Sequence, residues 1–294
     1  MCGDNSGTVR DCKNTGSVSG ENFVGGVCGI NLGTIKSCYN TGSVHGTNIY
    51  VGGVCGNSFR VTNTNYCYYL SDTATRGIGN LMADEKDKAE KMFKEQFESG
   101  EMAWLLNGKG SGEQVWGQQL GIDQSPVPGS AYKVIKAAQG DKDANGHYTY
   151  WATFSNQTND ATLSVPSDRT LNVYNATVSG GKMTLTQRND NQVAKEEGVL
   201  LKTDVEYVNA KANKENVLPK ASSDLVATQA ETQIVTAETG YRLYRLTYKN
   251  DTKKEGLGFY LGVDKANNSY DGTRLKATPG KAYLKVSENE AKDP

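Results

Sequence analysis

A repeat of about 26 residues at the start of the chain constrains the fold more than any other feature of the sequence. Residues 2–18 can be laid over residues 28–44, with Cys, Asn-Thr-Gly and Val at matching positions. A third unit begins at Cys55 and becomes irregular through Cys67. A fixed period of roughly 20 to 50 residues is typical of solenoids, in which each unit packs only against its neighbours.

Each repeat unit contains three short β-like pieces that are separated by glycine or by Asn-Thr-Gly. Three short strands and three tight corners fit one coil of a triangular parallel β-solenoid, in which equivalent residues stack about 4.8 Å apart. We expect the glycines at corners that need positive φ or a close backbone approach. A β-meander with the same period is the alternative. The stacks expected for a solenoid are Val9 over Ile35, Val18 over Val44 and Val27 over Val54.

The cysteines follow the repeat in two columns, namely Cys2, Cys28 and Cys55, and Cys12, Cys38 and Cys67. The pattern favours small residues that point into the core, because free cysteine is often buried. Disulfides are the second interpretation, although side chains on parallel coils run side by side rather than toward each other. A metal site is the least favoured, because no Cys-x-x-Cys or Cys-x-His spacing is present.

Residues 7–18 contain Gly-Thr-Val followed by Cys-Lys-Asn-Thr-Gly-Ser-Val, and residues 24–29 read Val-Gly-Gly-Val-Cys-Gly. These motifs resemble GLUG-type repeats. Such repeats occur in large secreted or surface-attached bacterial proteins, including some IgA-cleaving metallopeptidases. The resemblance covers about residues 1–70 and implies an exposed repetitive stalk. It does not imply a peptidase, because the motif His-Glu-x-x-His is absent and the chain has 2 histidines.

The segment after the repeats is expected to cap the solenoid. The spacing of apolar residues predicts a helix over 83–97, with one face formed by Ala89, Met92, Phe93 and Phe97. A second short helix is predicted over 101–106, ended by Asn107-Gly108. The run from Gly100 to Gln118 resembles a segment that commonly follows GLUG repeats. Because a solenoid end exposes strand edges and apolar core, we expect cap residues rather than a ligand-stacking surface at Trp104, Leu105, Leu106 and Trp116.

From about residue 146 the hydrophobic period changes to two, and many short strands are separated by turns such as Gly180-Gly181. This pattern predicts an antiparallel sandwich or barrel. In the first strand, one face carries Tyr148, Tyr150, Ala152 and Phe154 and is expected to be core, which leaves Trp151 as the plausible exposed aromatic. Residues 210–237 are polar without clear periodicity and are expected to form a long loop.

The C-terminal part of the chain contains five short motifs. They are Trp-Ala-Thr-Phe at 151–154, Leu-Asn-Val-Tyr at 171–174, Glu-Gly-Val-Leu-Leu-Lys at 197–202, Gly-Phe-Tyr at 258–260 and Gly-Lys-Ala-Tyr-Leu at 280–284. Together they resemble a β-module near the C-termini of many Bacteroidota surface proteins. In those relatives the first motif is closer to Tyr-Ala-Thr-Phe, and Pro-Ala-Gly-Thr precedes the third. The resemblance covers about residues 146–286 and brings no catalytic residues.

These observations together predict a mainly β protein. We expect a short N-terminal parallel β-solenoid over 1–80, a small helical cap and linker over 81–130, and a C-terminal antiparallel β-sandwich or barrel over 140–294. The start of the chain lies inside a repeat and lacks an export signal, so we interpret the sequence as a piece of a longer protein. No run approaches the roughly 20 apolar residues of a membrane span, so no membrane insertion is expected.

Motifs for catalysis were not found. The chain lacks a Gly-x-Ser-x-Gly elbow, a Walker loop and an intact Gly-x-Gly-x-x-Gly. A pair of carboxylates for glycoside hydrolysis stays open, because spacing along the chain is not distance in space. The sequence therefore predicts no enzyme and no cofactor. Lys and Arg (32) nearly balance Asp and Glu (33), which argues against a nucleic-acid partner.

Three weak site candidates remain. Asp141, Asp143 and Asn145 match the first half of a calcium loop, but Ala152 occupies the twelfth position, so an acidic loop with an Asn-Gly turn is favoured instead. Thr73, within Asp-Thr-Ala, resembles the O-glycan acceptor of exported Bacteroidota proteins. Trp151 is the candidate for stacking on a glycan.

Two functions from different classes follow. The first is a non-catalytic, adhesin-like or spacer fragment of a secreted or cell-surface bacterial protein, which contacts an unknown host or environmental protein or glycan outside the cell. The second is the accessory carbohydrate-binding region of a larger secreted hydrolase.

Overall fold

The computed structural model describes residues 1–59, 63–80, 88–110, 113–229, 231–267 and 269–291. The chain divides into two compact units, Met1–Val134 and Ile135–Pro294. The first contains a parallel β-solenoid of about three turns, and the second contains antiparallel sheets that include a half-barrel. The predicted fold class is therefore confirmed, with the helical cap as a minor element.

The solenoid consists of very short strands. Their bounds are β1 (Cys2–Asn5), β2 (Thr8–Arg10), β3 (Lys13–Asn14), β4 (Val18–Gly20), β5 (Val24–Gly25), β6 (Cys28–Asn31), β7 (Thr34–Lys36), β8 (Tyr39–Asn40), β9 (Val44–Gly46), β10 (Val51–Gly52), β11 (Cys55–Ser58), β12 (Thr64–Asn65), β13 (Cys67–Leu70), β14 (Ile78–Asn80) and β15 (Ala89–Met92). They form parallel ladders in the orders β1-β6-β11-β14, β2-β7-β12, β3-β8-β13-β15, β4-β9 and β5-β10.

The strands stack in the register that the repeat predicts. Val9 pairs with Ile35, and Val18 pairs with Val44, each in a parallel ladder. Parallel pairing of successive repeats cannot occur in a meander, whose neighbouring strands run antiparallel. The β-meander alternative is therefore wrong.

The cysteines line up along the solenoid as free thiols. Cys28 pairs with Cys2 on one side and with Cys55 on the other, and the Sγ atoms of Cys2 and Cys28 lie 3.5 Å apart. All six thiols are free, and the four from Cys28 to Cys67 are buried. Burial and the neighbouring thiol raise the pKa of Cys2 to about 11, and the pKa of Cys28 is raised as well.

Buried asparagines link successive coils. Asn14 Nδ2 donates to Asn40 Oδ1 at 2.8 Å, and Asn5 Nδ2 donates to Asn31 Oδ1 at 2.7 Å. Asn40 also closes its own corner, because its Nδ2 donates to the carbonyl of Gly42 and its Oδ1 accepts from the Gly42 amide. The Asn of each Asn-Thr-Gly corner therefore provides hydrogen bonds both within a coil and between coils.

Corner glycines that face a preceding coil are required for close approach rather than for positive φ, whereas Gly7 and Gly16 of the first coil have no such contact. A Cβ atom on Gly33 or Gly42 would lie 2.0 Å from a backbone oxygen of the preceding coil. Left-handed backbone occurs instead at non-glycine residues. Asp11, Ser37 and Tyr66 have φ of 54°, 52° and 51°, each directly before the second cysteine of its coil, and Phe23 and Tyr50 have φ of 53° and 61°. Of the two roles expected for the corner glycines, close approach is the one observed.

The predicted helix over 83–97 is wrong in its central part, and residues 81–87 lie outside the described residues. Ala89–Met92 is strand β15, which pairs in parallel with β13 and extends the solenoid past residue 80. The helix α1 (Lys94–Glu98) begins only after Phe93, whose amide donates to the Gln96 side chain. Pairing with the unsatisfied edge of β13 outweighs the weak helical preference of a short segment.

The second predicted helix is confirmed as α2 (Glu101–Leu106). Leu105, Leu106 and Trp116 are buried in a cluster with Tyr39 and Tyr68 of the solenoid, and Trp104 packs against it. The Tyr39 hydroxyl donates to the carbonyl of Pro126 at 2.6 Å, and burial raises its pKa to about 12. These aromatics are core residues of the cap, as expected. The strand pair that follows is β16 (Trp116–Gly117) and β17 (Val127–Pro128).

The second unit is built from antiparallel sheets. Strand β18 (Tyr132–Lys136) crosses the unit boundary, and the others are β19 (Ala138–Lys142), β20 (Tyr148–Phe154), β21 (Ala161–Ser164), β22 (Leu171–Ser179), β23 (Lys182–Gln187), β24 (Gln192–Val193), β25 (Val199–Thr203), β26 (Tyr207–Ala212), β27 (Leu225–Ala227), β28 (Gln233–Thr236), β29 (Tyr241–Asn250), β30 (Glu255–Leu261), β31 (Arg274–Ala277) and β32 (Ala282–Ser287), with a 3-10 helix at Lys265–Asn267.

A five-stranded sheet in the order β19-β20-β25-β22-β23 is covered on both faces. One face carries Ala152, Phe154 and Leu201, which pack on the sheet β18-β26-β21-β24. The other face carries Leu200 and packs on the sheet β27-β32-β29-β30. Because both faces are buried, alternation along a strand separates two cores rather than core from solvent.

The predicted loop over 210–237 contains strands β27 and β28, so this expectation is wrong in part. The irregular stretch between β26 and β27 is held by two buried carboxylates. Asp160 accepts from the amides of Val217 and Leu218 at 2.8 and 2.9 Å, and Glu197 accepts from Ala221 at 3.0 Å. Backbone N–H donors, first that of Leu218, lower the pKa of Asp160. Such long-range anchors leave no periodic signal in the sequence.

We predict that Asn40→Ala lowers the free energy of unfolding by about 3 kcal/mol, because it leaves buried partners of Asn40 unsatisfied in two coils. Urea unfolding followed by circular dichroism measures the change. Asn48→Ala, at an exposed position of the same solenoid, is the matched control and should lie within about 0.5 kcal/mol of the parent. Equal effects of the two substitutions would contradict the coupling role of Asn40.

We also predict that iodoacetamide at pH 8 alkylates the native chain slowly, and first at Cys2 and Cys12 of the outer coil. A raised pKa keeps the thiol protonated, and the thiolate is the nucleophile. Mass spectrometry of tryptic peptides gives the rate at each cysteine, with the urea-unfolded chain as reference. Rapid labelling of Cys38 in the native protein would be inconsistent with a closed core.

Candidate functional site

A cleft of about 270 Å³ lies in the second unit, between β20, β29, β31 and the start of β32. The charged residues that line it are all basic, namely Lys136, Arg245, Lys276 and Lys281. Threonines, Trp151 and Tyr283 contribute to its walls. Because the whole chain has a net charge of -1, this concentration of positive charge is a local feature.

Hydrogen bonds from two directions fix the turn that carries Lys281. The Thr228 hydroxyl donates to the carbonyls of Thr278 and Lys281 at 2.8 and 2.9 Å. From β20, the Ser155 hydroxyl also donates to the Lys281 carbonyl, and the Ala282 amide donates to Thr153 Oγ1 at 3.1 Å. The backbone of Lys281 is therefore held rigidly against the five-stranded sheet.

Lys281 is a partly buried cation without an acidic partner among the residues that the structure describes. Burial alone lowers the pKa of its ammonium group, and no nearby carboxylate opposes that shift. An uncompensated charge in such a position costs folding free energy. Perturbed ionisable groups in clefts are enriched at functional sites.

The other basic residues differ in how they are engaged. Lys136 Nζ lies 2.9 Å from Glu206 Oε1, so its charge is already compensated. Arg245 on β29 and Lys276 on β31 are exposed, and neither forms an ion pair within the described part of the chain. Three cations at the cleft, Arg245, Lys276 and Lys281, are therefore available to an incoming anion.

Trp151 lies at this cleft but is not the exposed platform that the sequence suggests. Its ring is partly buried, lies 6.4 Å from the Tyr174 ring in a stacked arrangement, and has Lys202 Nζ 5.3 Å from its centroid. Its Nε1 donates to Thr149 Oγ1 at 3.3 Å. The second sheet covers this face of β20, which alternation alone cannot reveal. On the face of β20 opposite Trp151, Ala152 and Phe154 are buried in the core as expected, whereas Tyr148 is 44% exposed.

The calcium-loop candidates form part of a β-hairpin. Asp141 lies in β19, and Asp143 and Asn145 lie in the turn before β20. Asp143 Oδ1 accepts from the amides of Asn145 and His147, both at 2.9 Å, and the His147 amide is the main reason that the pKa of Asp143 is lowered. Within the described ranges, no three His, Cys, Asp or Glu side chains are grouped so that they could hold a metal ion. The acidic-turn interpretation accounts for these contacts.

Thr73 is buried rather than presented on a polar loop. The residue is only 8% exposed, and its hydroxyl donates to the Leu70 carbonyl at 2.7 Å. Its carbonyl accepts from the Val44 amide of the neighbouring coil. The folded solenoid therefore does not present this hydroxyl for glycosylation.

Comparison with known proteins finds no family model, no curated protein and no solved structure that matches this chain. Among the described residues, no helix is both long and apolar enough to cross a membrane. The description of the site therefore rests on its own geometry.

Sequence reasoning did not find the cleft. Its cations come from four separate segments, and the motif at 280–284 was noted only for its resemblance. The one local signal is a lysine directly after Pro279-Gly280, in a turn that leads into a strand.

We predict that Lys281→Met raises the free energy of unfolding by about 1 kcal/mol, because it removes a desolvated charge that has no acidic partner. Urea unfolding of the full chain measures the change. Lys276→Met removes the same charge from an exposed position of the same cleft and should shift stability by less than about 0.5 kcal/mol. A loss of stability in Lys281→Met would mean that the ammonium group is satisfied in the folded state.

Proposed function

We propose that this chain is a non-catalytic part of a secreted or cell-surface bacterial protein, in which the solenoid acts as a spacer and the second unit binds a protein or glycan outside the cell. The observation that carries the proposal is the in-register stack of coils, in which the cysteines and asparagines of successive repeats pair with one another. This stack supports a structural role for the repeated residues.

Two resemblances support an extracellular location. The repeats at residues 1–70 resemble GLUG repeats of secreted and surface-attached bacterial proteins, and the second unit resembles a module of Bacteroidota surface proteins. The strand pattern on which the second resemblance rests is present, because 151–154 lies in β20 and 199–202 lies in the neighbouring β25. An adhesin-like role follows if the second unit contacts a surface ligand.

The composition of the cleft favours binding over hydrolysis. Glycoside hydrolysis uses a pair of carboxylates that flank the scissile bond. Among the described residues, the cleft is lined by basic, hydroxyl and apolar side chains, without Asp, Glu or His. We therefore propose no enzymatic activity and no cofactor for this region.

The alternative function is an accessory carbohydrate-binding region of a larger secreted hydrolase. The observation in its favour is the position of Trp151 at a cleft lined by hydroxyl groups. The remainder of the gene separates the two functions, because an adjoining catalytic domain would favour the accessory role.

We predict that antibodies raised against the purified chain label intact, unpermeabilised cells of the bacterium that produces it. The purified chain should retain ligands on an array of glycans and surface proteins without releasing products. Antibodies against a cytoplasmic protein of the same cells give the control for leakage. Labelling only after permeabilisation would contradict the extracellular location, and product release would contradict the absence of catalysis.

A further inference from the structure

We propose that the cleft of the second unit binds an acidic oligosaccharide through carboxylate or sulfate groups, with Lys281 as the partly buried cation and Arg245 and Lys276 as the exposed ones. The anion site follows from the residues of the cleft alone. The choice of a saccharide as its carrier rests on the proposed extracellular function.

The charge of the cleft favours an anionic ligand. Its charged lining residues are all basic, and Glu206 compensates only Lys136. Lys281 is partly desolvated, and the described chain supplies no carboxylate to it. A buried charge of this kind is stabilised by a partner that brings the opposite charge and direct hydrogen bonds. An anion that enters the cleft supplies both.

The position of Lys281 is prepared before any ligand binds. The carbonyl of Lys281 accepts from Thr228 and Ser155, and the amide of Ala282 donates to Thr153. A site held in this way loses little conformational entropy on binding, which favours affinity for a small ligand. The folding cost of leaving Lys281 unpaired is consistent with a residue retained for binding rather than for stability.

The walls of the cleft suit a ligand rich in hydroxyl groups. Thr247, Thr278 and Tyr283 line it beside the cations, so donors and acceptors surround the charged positions. A volume of about 270 Å³ lies just below the usual range of ligand pockets, so the cleft itself suits a small part of an oligosaccharide. Charged groups then select the acidic sugar, and hydroxyl groups bind its ring substituents.

Nucleic acid and phospholipid surfaces fit the observations less well. Both present extended arrays of phosphate, and binding to them depends on broad basic surfaces. The chain has a net charge of -1, and the cluster of basic residues described here occupies one small cleft. A short, locally charged saccharide matches that distribution.

Trp151 has a supporting role in this site. Its indole packs beside Tyr174 and beneath Lys202. It also lies so close to Gly140 that a side chain at that position would collide with it. The indole is therefore a fixed part of the cleft wall. We therefore expect the specificity for charge to depend on Arg245, Lys276 and Lys281 rather than on aromatic stacking.

The test is titration calorimetry of the full chain with defined ligands. Trigalacturonate supplies carboxylates, a heparin-derived tetrasaccharide supplies sulfates, maltotriose is the neutral saccharide, and sodium sulfate is the anion without a sugar. We expect binding of at least one acidic oligosaccharide, at least about tenfold weaker binding of maltotriose and of sulfate, and weaker binding at 0.5 M NaCl because salt screens the charges.

The decisive variant is the double substitution Arg245→Gln and Lys276→Gln. Both side chains are exposed, so the fold does not depend on them. We expect the dissociation constant for the acidic oligosaccharide to rise at least about tenfold, since each lost charge-assisted hydrogen bond weakens binding substantially. Lys182→Gln, an exposed lysine of β23 outside the cleft, is the matched control and should bind like the parent.

Each outcome bears on the proposal. Loss of binding in the double variant, with the control unchanged, supports it. The proposal is overturned if neither acidic oligosaccharide binds at about 1 mM, a concentration at which weak binding is detectable. It is also overturned if maltotriose binds equally well, or if the double variant binds with unchanged affinity. Equal binding of sulfate alone overturns the assignment to a saccharide. These results are independent of cell labelling, so failure of this site and failure of the extracellular function are distinguishable.

Discussion

Satisfaction of buried polar groups is the constraint on which both units of this protein depend. Apolar residues make up 36% of the sequence, so the interior must include many polar side chains. In the solenoid, Asn14 and Asn40 bond to each other and to their own corners. In the second unit, Asp160 and Glu197 bind backbone amides of a segment that has no strand pairing of its own. Buried polar groups thus connect segments that apolar packing alone would not specify.

Lys281 departs from this pattern, because it is a partly buried cation without an acidic partner among the described residues. The hydrogen bonds that satisfy the backbone of its turn come from Thr228, Thr153 and Ser155, whereas its ammonium group has no acidic partner in the described chain. A protein that elsewhere pairs its buried carboxylates leaves this cation available. The same rigid framework therefore provides stability and a prepared position for an anion, and the proposed ligand completes the pattern.

The two units divide these roles. The first unit uses its polar side chains in ladders that repeat from coil to coil, and its apolar aromatics, including Tyr39 and Trp116, in the cap. The second unit uses a sheet that is covered on both faces, and it places its cleft where β20 meets the strands β29, β31 and β32.

The sequence by itself predicted the register of the solenoid, because equivalent residues recur at a fixed spacing, and Val9 does pair with Ile35. Only the structure excluded a β-meander of the same period, since the ladders are parallel. Alternation also predicted the longer strands of the second unit, such as β20 and β29, but not the short strands β27 and β28. Only the tertiary structure decided that Ala89–Met92 is a strand, since the free edge of β13 supplied a partner that local propensity cannot show. It likewise decided that a second sheet covers Trp151, and that Lys136, Arg245, Lys276 and Lys281 meet at one cleft. Residues so far apart in the chain are brought together by strand pairing and sheet packing, and neither leaves a local pattern in the sequence.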